Sequence, residues 1–474
     1  MTDTATAPTV EPVTQRLSSW LCDLRLDGVP AEVSERAKHV LLDGVACALV
    51  GARLSWSDTA TEALCALETA GECAVIGTGR VTAPSAAALL NSSYIQGFEL
   101  DDYHPAAPVH SAALVLPAMF AALPSATRSS GADVLLGAIR GFEVGPRVGL
   151  ALHGAQMLTR GWHSGPVFGG PAAAAAAGTL YGLDAERLED AFGIAATQAG
   201  GLMAAQFGAM SKRMQHGFAA RNGLLAAVLA AGGYTGIKGV FECGYGGFLS
   251  TFGEGHDPDP SQIDAELGER WETMRIAIKP YAAMAGLHAS IDAARRLLAE
   301  QPIDPDDIGA VEISLSEPAF HHGGWRAERP LTAVGAQMNV AYAVAVTLID
   351  GTALAEQFGP ARVDADDVWA LIARTTARHE PAFDERYEDG YNVRLRVTLQ
   401  DGTTREAFID HPRGGIKYPL TNQEIVEKFR TLTSAVVDTE RAVEIEHAVL
   451  ALDELAAAAD LVSLLAAPVR PVFG

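Results

Sequence analysis

A mainly helical architecture with a smaller α+β module is what this chain predicts, and three observations predict it. Helical signals run almost unbroken from Val13 to about Phe252, period-2 alternation is confined to the stretch between Trp271 and Phe408, and helical patterning returns after Gly414-Gly415. The 474 residues also exceed the roughly 250 to 300 at which one core stops growing. The expected division is a discontinuous all-helical bundle domain, residues 1–272 and 420–474, combined with an α+β lid, residues 273–419. Residues 1–12 (MTDTATAPTVEP) read as a loose tail without the basic and apolar regions of a signal peptide.

Each element has its own signal. Pro30 can open a helix that Gly51 closes, with Val33, Ala37, Val40, Leu41, Val45 and Leu49 near one face. The apolar stretch Ala112 to Leu123 is shorter than the roughly 18 residues of a membrane span and reads as a buried helix. Ala172 to Ala177 is an unbroken alanine run, and GLLAAVLAAG (Gly223 to Gly232) follows it. Side chains this small let helices approach closely. Farther on, WETMRIAIK (Trp271 to Lys279) alternates, as do Val311, Ile313 and Leu315. A last set, Val393, Leu395, Val397 and Leu399, is joined at Asp401-Gly402 to Thr404, Glu406 and Phe408 as a hairpin. Ala285 to Glu300 and Val334 to Ile349 are helical between these strands, and Thr421 with Glu424 forms a capping box before Ile425.

Charge and cysteine use narrow the function. With 35 Lys and Arg against 58 Asp and Glu the net charge is −23, and no basic run is present. Nucleic acid and anionic membranes are therefore not expected partners. An anionic substrate would need cations gathered at close range. Cys22, Cys47, Cys65, Cys73 and Cys243 contain no C-x-x-C, which fits neither a disulfide framework, a zinc ribbon nor a paired iron-sulfur ligand set; the expected compartment is the cytoplasm.

Four polar clusters stand out. Between Gly97 and Ser111, Asp101, Asp102, His104 and His110 lie on a proline-containing loop before an apolar helix; a helix cap or a metal site would use the same residue types. From Arg160 to Gly170, glycines surround His163 in a turn ahead of the alanine helix, a natural seat for a carboxylate. Lys212, Arg213 and His216 precede a helix expected from about Phe218, and cations beside an alanine-rich core ask for an anion. Lys279 ends an apolar strand at Pro280, and His288 and Asp292 are four apart, able to pair on one helix face.

Taken together, these segments resemble the MmgE/PrpD family over nearly the whole chain. The matching pieces are ELDDYHPAAPVHSAALVLPA, GWHSGPVFGGPAAAAAAGTLYGL, SKRMQHGFAARNGLLAAVLAAGGYTG, FECGYGGFLSTF, IKPYAAMAGLHASIDA, AYAVAVTLIDG and GGIKYPLTNQEIVEKF. The resemblance implies a helical domain with an α+β lid, a homodimer, and a site between the domains that uses no metal or organic cofactor. Its activities include 2-methylcitrate dehydratase, the cis-aconitate decarboxylase that forms itaconate, and iminodisuccinate epimerase. The implied catalytic residues are His110, His163, Lys212, Lys279 and Tyr342, with Asp102, His104, Arg213, His216 and His288 as substrate-binding candidates. Two positions depart from the decarboxylase pattern: Met284 stands where a histidine is wanted and Tyr103 where a threonine is wanted.

The resulting expectation is a cofactor-independent lyase acting alpha to a carboxylate of a small polycarboxylic acid, with a 2-methylcitrate dehydratase-like hydro-lyase first. A decarboxylase or epimerase is the alternative, and a catalytically silent carboxylate-binding scaffold is the alternative of another class. In this chemistry fixed cations stabilise an enediolate-like species. A histidine near its reference pKa of about 6.5 moves the proton, and His163 is the leading candidate. The His321-His322 loop belongs to the lid.

Overall fold

The computed structural model describes residues 12–384 and 392–473; nearly all of the expected tail lies outside them. The fold is mainly helical with a small mixed sheet, as the patterning predicts. At its centre the helix Ser164–Leu180 is buried along its entire length, packed by the helices Gly131–Ala151, Ser211–Ala231, Ser111–Ala122 and Ala185–Ala196. Enclosure on all sides is the physical reason for its alanines. A Cβ on Gly223 would lie 2.4 Å from that of Ala173, so the neighbouring helix crosses at a distance only glycine allows.

Two strands, β1 (Cys73–Val75) and β2 (Arg80–Thr82), form a short antiparallel pair inside the helical region that the sequence patterning did not signal. The larger sheet consists of β3 (Ile308–Leu315), β4 (Thr375–His379), β5 (Val393–Leu399) and β6 (Thr404–Ile409), ordered β4-β3-β5-β6. Strands β3 and β4 are parallel and the other pairs antiparallel. Val311 faces Val397 and Ile313 faces Leu395, so the alternating apolar residues share one face, against which the helix His288–Glu300 packs. The β5–β6 hairpin turns at Gly402 with φ +84°, as the Asp-Gly signal requires.

Some local expectations are corrected. Trp271 to Lys279 is not a strand: Glu272–Arg275 is a 3₁₀ turn because the Glu143 carboxylate takes the amides of Glu272 and Thr273, satisfying donors that a strand would pair elsewhere. The single helix expected over Val334 to Ile349 is two, Ala333–Gln337 and Val340–Asp350, since Asn339 breaks the run and caps the second through the Tyr342 amide. Lys212, Arg213 and His216 lie within a helix, Ser211–Ala231, and not before one. Likewise Gly165, Gly169 and Gly170 are inside the Ser164 helix and not in an open turn.

After the sheet, the helix Asn422–Val436 begins at the Thr421–Glu424 capping box and packs against Ala31–Gly51. Lys428 on this helix pairs with the buried Asp43 and donates to the Leu100 carbonyl, both at 2.5 Å. Among the described residues no single helix is long and apolar enough to cross a membrane.

Candidate active site

The site is organised by a carboxylate that the sequence reading did not single out. Glu99 holds a left-handed backbone conformation, φ +56°, directly after the 3₁₀ turn Gln96–Phe98. Non-glycine residues are strained there, and such strain collects at functional sites. Its buried carboxylate receives Lys212 Nζ at 2.5 Å, Lys279 Nζ at 2.8 Å and the Arg213 guanidinium. Burial alone would push the Glu99 carboxyl up, but Lys212, Lys279 and Arg213 outweigh it and hold it well below its ordinary value. Lys212 is brought down to about 8 by burial and by its cationic neighbours, in spite of Glu99. Lys279 is also disfavoured by burial, yet Glu99 and Asp101 raise it above its ordinary value. The clue in the sequence was electrostatic: three buried cations need a counter-ion, and Glu99 opens the E-L-D-D segment.

The paired aspartates divide the work. Asp102, expected to touch substrate, accepts the amides of Ser111 and Ala112 at 2.7 and 3.0 Å and so caps the helix Ser111–Ala122. Asp101, which the sequence reading placed in the loop cluster but not among the catalytic or substrate-binding residues, lies 2.9 Å from His110 Nδ1 and 3.7 Å from Lys279. Burial opposes its charge, but His110 and Lys279 prevail and keep Asp101 below its ordinary value.

His163 is the residue before the Ser164 helix. Its Nδ1 contacts Gln215 Oε1 at 2.9 Å, and that oxygen also accepts the Leu202 amide while Gln215 Nε2 donates to the Leu202 carbonyl. This pattern places the proton on Nδ1 and leaves Nε2 as the basic atom. Burial, then Lys212, lowers His163 to about 3, so it is a neutral imidazole in the free protein and not a group near 6.5. His216 stands edge-on between His110 and His163, ring centroids 4.8 and 4.9 Å away.

One cavity collects these groups. Glu99, His110, His163, Lys212 and Lys279 line it together with an apolar wall that includes Leu158, Met203, Met284 and Met338, and the α+β part adds Pro318, Ala319 and His322. Three cations, Lys212, Lys279 and Arg213, gather here around the carboxylates of Glu99 and Asp101, the close-range concentration that an anionic substrate needs in a chain with net charge −23. Of the expected catalytic residues, four line the cavity.

The fifth does not. Tyr342 is buried and donates to the Gln357 carbonyl at 2.5 Å, outside the lining. His104 bridges Glu272 at 3.1 Å and the Ala107 amide at 3.1 Å, so it braces the loop. Arg213 sits behind Glu99, its second branch on Gln337 at 2.6 Å. His288 contacts the Ala283 carbonyl at 2.9 Å and does not pair with Asp292, which accepts the Tyr281 hydroxyl and the Arg413 amide instead. With Asp102 and His216, these residues support the lining from outside. Among the described residues no three His, Cys, Asp or Glu side chains gather into a set able to hold a metal ion.

Comparison with known proteins places this arrangement. The family model of the MmgE/PrpD N-terminal domain matches residues 15–261, and that of the MmgE/PrpD C-terminal domain matches residues 281–454. The chain belongs to the MmgE/PrpD family. This MmgE/PrpD protein is 48% identical over 471 residues to a cis-aconitate decarboxylase-like protein, oryM, of Aspergillus oryzae, covering 96% of this chain and 97% of that one. It is 44% identical over 474 residues to the cis-aconitate decarboxylase of Aspergillus terreus, covering 97% and 96%. The human cis-aconitate decarboxylase is 26% identical over 474 residues, covering 98% and 96%. As an MmgE/PrpD enzyme with these relatives, the protein is a lyase.

Proposed function

We propose that the protein decarboxylates cis-aconitate or a close tricarboxylate analogue. The carrying observation is that Lys212, Lys279, His110 and His163 line one cavity in a chain 44% identical, over nearly its full length, to a cis-aconitate decarboxylase. Among the lyase reactions expected from the sequence, these relatives favour the decarboxylase alternative over the hydro-lyase placed first. Met284 and Tyr103, the two departures, both belong to the wall of this cavity. Decarboxylation asks for seats for the retained carboxylates, a proton for carbon and a desolvated leaving carboxylate, and an apolar wall serves the last of these.

The step balances without a cofactor. The cis-aconitate trianion takes one proton at its vinylic CH; the bond from the methylene carbon to its carboxylate breaks, its electron pair forms the new double bond, and itaconate dianion and CO₂ leave. Lys212 and Lys279 hold carboxylates as charge redistributes. His110, backed by the Asp101 carboxylate, is placed to deliver the proton, while neutral His163 offers a fixed tautomer to orient substrate. The expected homodimer belongs to the same proposal: the helix carrying Lys212 turns Phe218, Leu225, Val228 and Leu229 outward, each exposed between 37 and 43%.

Incubation with cis-aconitate in D₂O, followed by NMR, tests the reading. Itaconate carrying one solvent deuterium on its saturated methylene, with one CO₂ released per turnover, supports it. Turnover of 2-methylcitrate to an alkene, with none of cis-aconitate, would return the assignment to the dehydratase.

A further inference from the structure

The lid contributes a polar group to the cavity that the steps above leave unused. His322 lies on the helix Glu317–Gly323, only 8% exposed, and lines the cavity. Neither of its ring nitrogens has a hydrogen-bond partner. Burial, with a smaller contribution from His321, lowers it to about 4, so it is a neutral imidazole with one N–H to donate. A buried polar group with no partner destabilises the fold that keeps it, unless a ligand completes it. The helix is pressed onto its neighbour: a Cβ on Gly323 would lie 2.6 Å from Leu287 Cδ2 and 3.3 Å from Met284 Cε. His322, the residue before Gly323, shares the cavity lining with Met284, the position that lacks an imidazole, and supplies one from a different element.

We propose that His322 is a specificity residue that donates a hydrogen bond to one of the two substrate carboxylates that the reaction retains, making the site selective for tricarboxylates. This deepens the decarboxylase reading and rests on it for the identity of the substrate. A site that hydrogen-bonds a polar substituent rejects the analogue lacking it, because the buried group is then left unpaired.

Calorimetric titration with non-reacting acids separates the two. Tricarballylate has three carboxylates and no double bond; glutarate lacks its central carboxylate and methylsuccinate one terminal carboxylate. The parent should prefer tricarballylate by about tenfold or more over one of the two dicarboxylates. His322→Leu should erase that preference, weakening tricarballylate by roughly tenfold while changing that dicarboxylate less than about threefold, with Tm unchanged or raised. Should the Leu variant fold poorly, His322→Gln, which retains a donor, should keep part of the preference at the parent's Tm. Equal weakening of all three acids, no weakening, or a parent that binds none of them overturns the proposal. A parent that shows the preference but leaves cis-aconitate unreacted overturns only the decarboxylase reading.

Discussion

Gly165 lacks a side chain where the imidazole of His216 comes to rest: a Cβ built on Gly165 would stand 2.4 Å from His216 Nε2. His216 in turn spaces His110 from His163. Gly165→Ala should therefore push this ring into both site histidines. Turnover should fall about 10²-fold, as for loss of a general acid or base, at an overpacking cost of roughly 1 to 3 kcal/mol. Kinetics and thermal melting measure both, and near-parent turnover in the variant would end the spacer role of His216.

Glu99→Gln removes the counter-ion of three buried cations. Breaking a buried ion cluster from one side costs about 3 to 5 kcal/mol, so Tm should drop. The uncompensated site should then gain more from an added polyanion than the parent does. Melting with and without citrate checks this, and equal citrate shifts in parent and variant would refute it.

Asp101→Asn keeps the shape beside His110 and deletes the charge. The Asp101 carboxylate lies 2.9 Å from His110 Nδ1 and orients the ring, so loss of its charge should cut kcat at least about tenfold. His163→Gln should also slow turnover, since it removes the imidazole that Gln215 holds in one tautomer. Near-parent kcat in the Asp101 variant would remove it from the proton-transfer pair.

Lys212 loses its charge above about pH 8 in the free protein, whereas Lys279 is held higher. Activity on a polycarboxylate should accordingly decline in kcat/KM above pH 8, because the deprotonated amine no longer attracts the anion. Lys212→Met should lower kcat/KM by roughly 10¹- to 10³-fold and abolish that limb; Lys279→Met should lower it similarly and retain the limb. Values within about twofold of the parent in both variants would dismiss polycarboxylate binding at this cavity.

Local pattern carried the architecture far, because helix caps, the Asp-Gly turn and period-2 alternation act within a few residues. Thr421 with Glu424 and Gly402 are where such rules place them. Patterning failed at Trp271 to Lys279, where a carboxylate 129 residues away at Glu143 claimed the backbone amides. The site was legible as a set of residue types, and His110, His163, Lys212 and Lys279 do meet. Which neighbour of an adjacent pair faces inward was not: Asp101 and Asp102 differ only in direction, and direction is fixed by the helix that Asp102 caps. Tyr342 and His288 were lost in the same way, to the carbonyls of Gln357 and Ala283.

The tether from Lys428 to Leu100 and Asp43 also sets an order in time. Leu100 adjoins Glu99 and Asp101, yet its clamp lies 328 residues later in the chain. At about 5 to 20 residues per second, roughly 15 to 65 s of synthesis separate the two. During that interval the loop bearing the acidic half of the site has left the ribosome without the amine that fastens it, so its fastening waits for the same late helix that completes the packing of Ala31–Gly51.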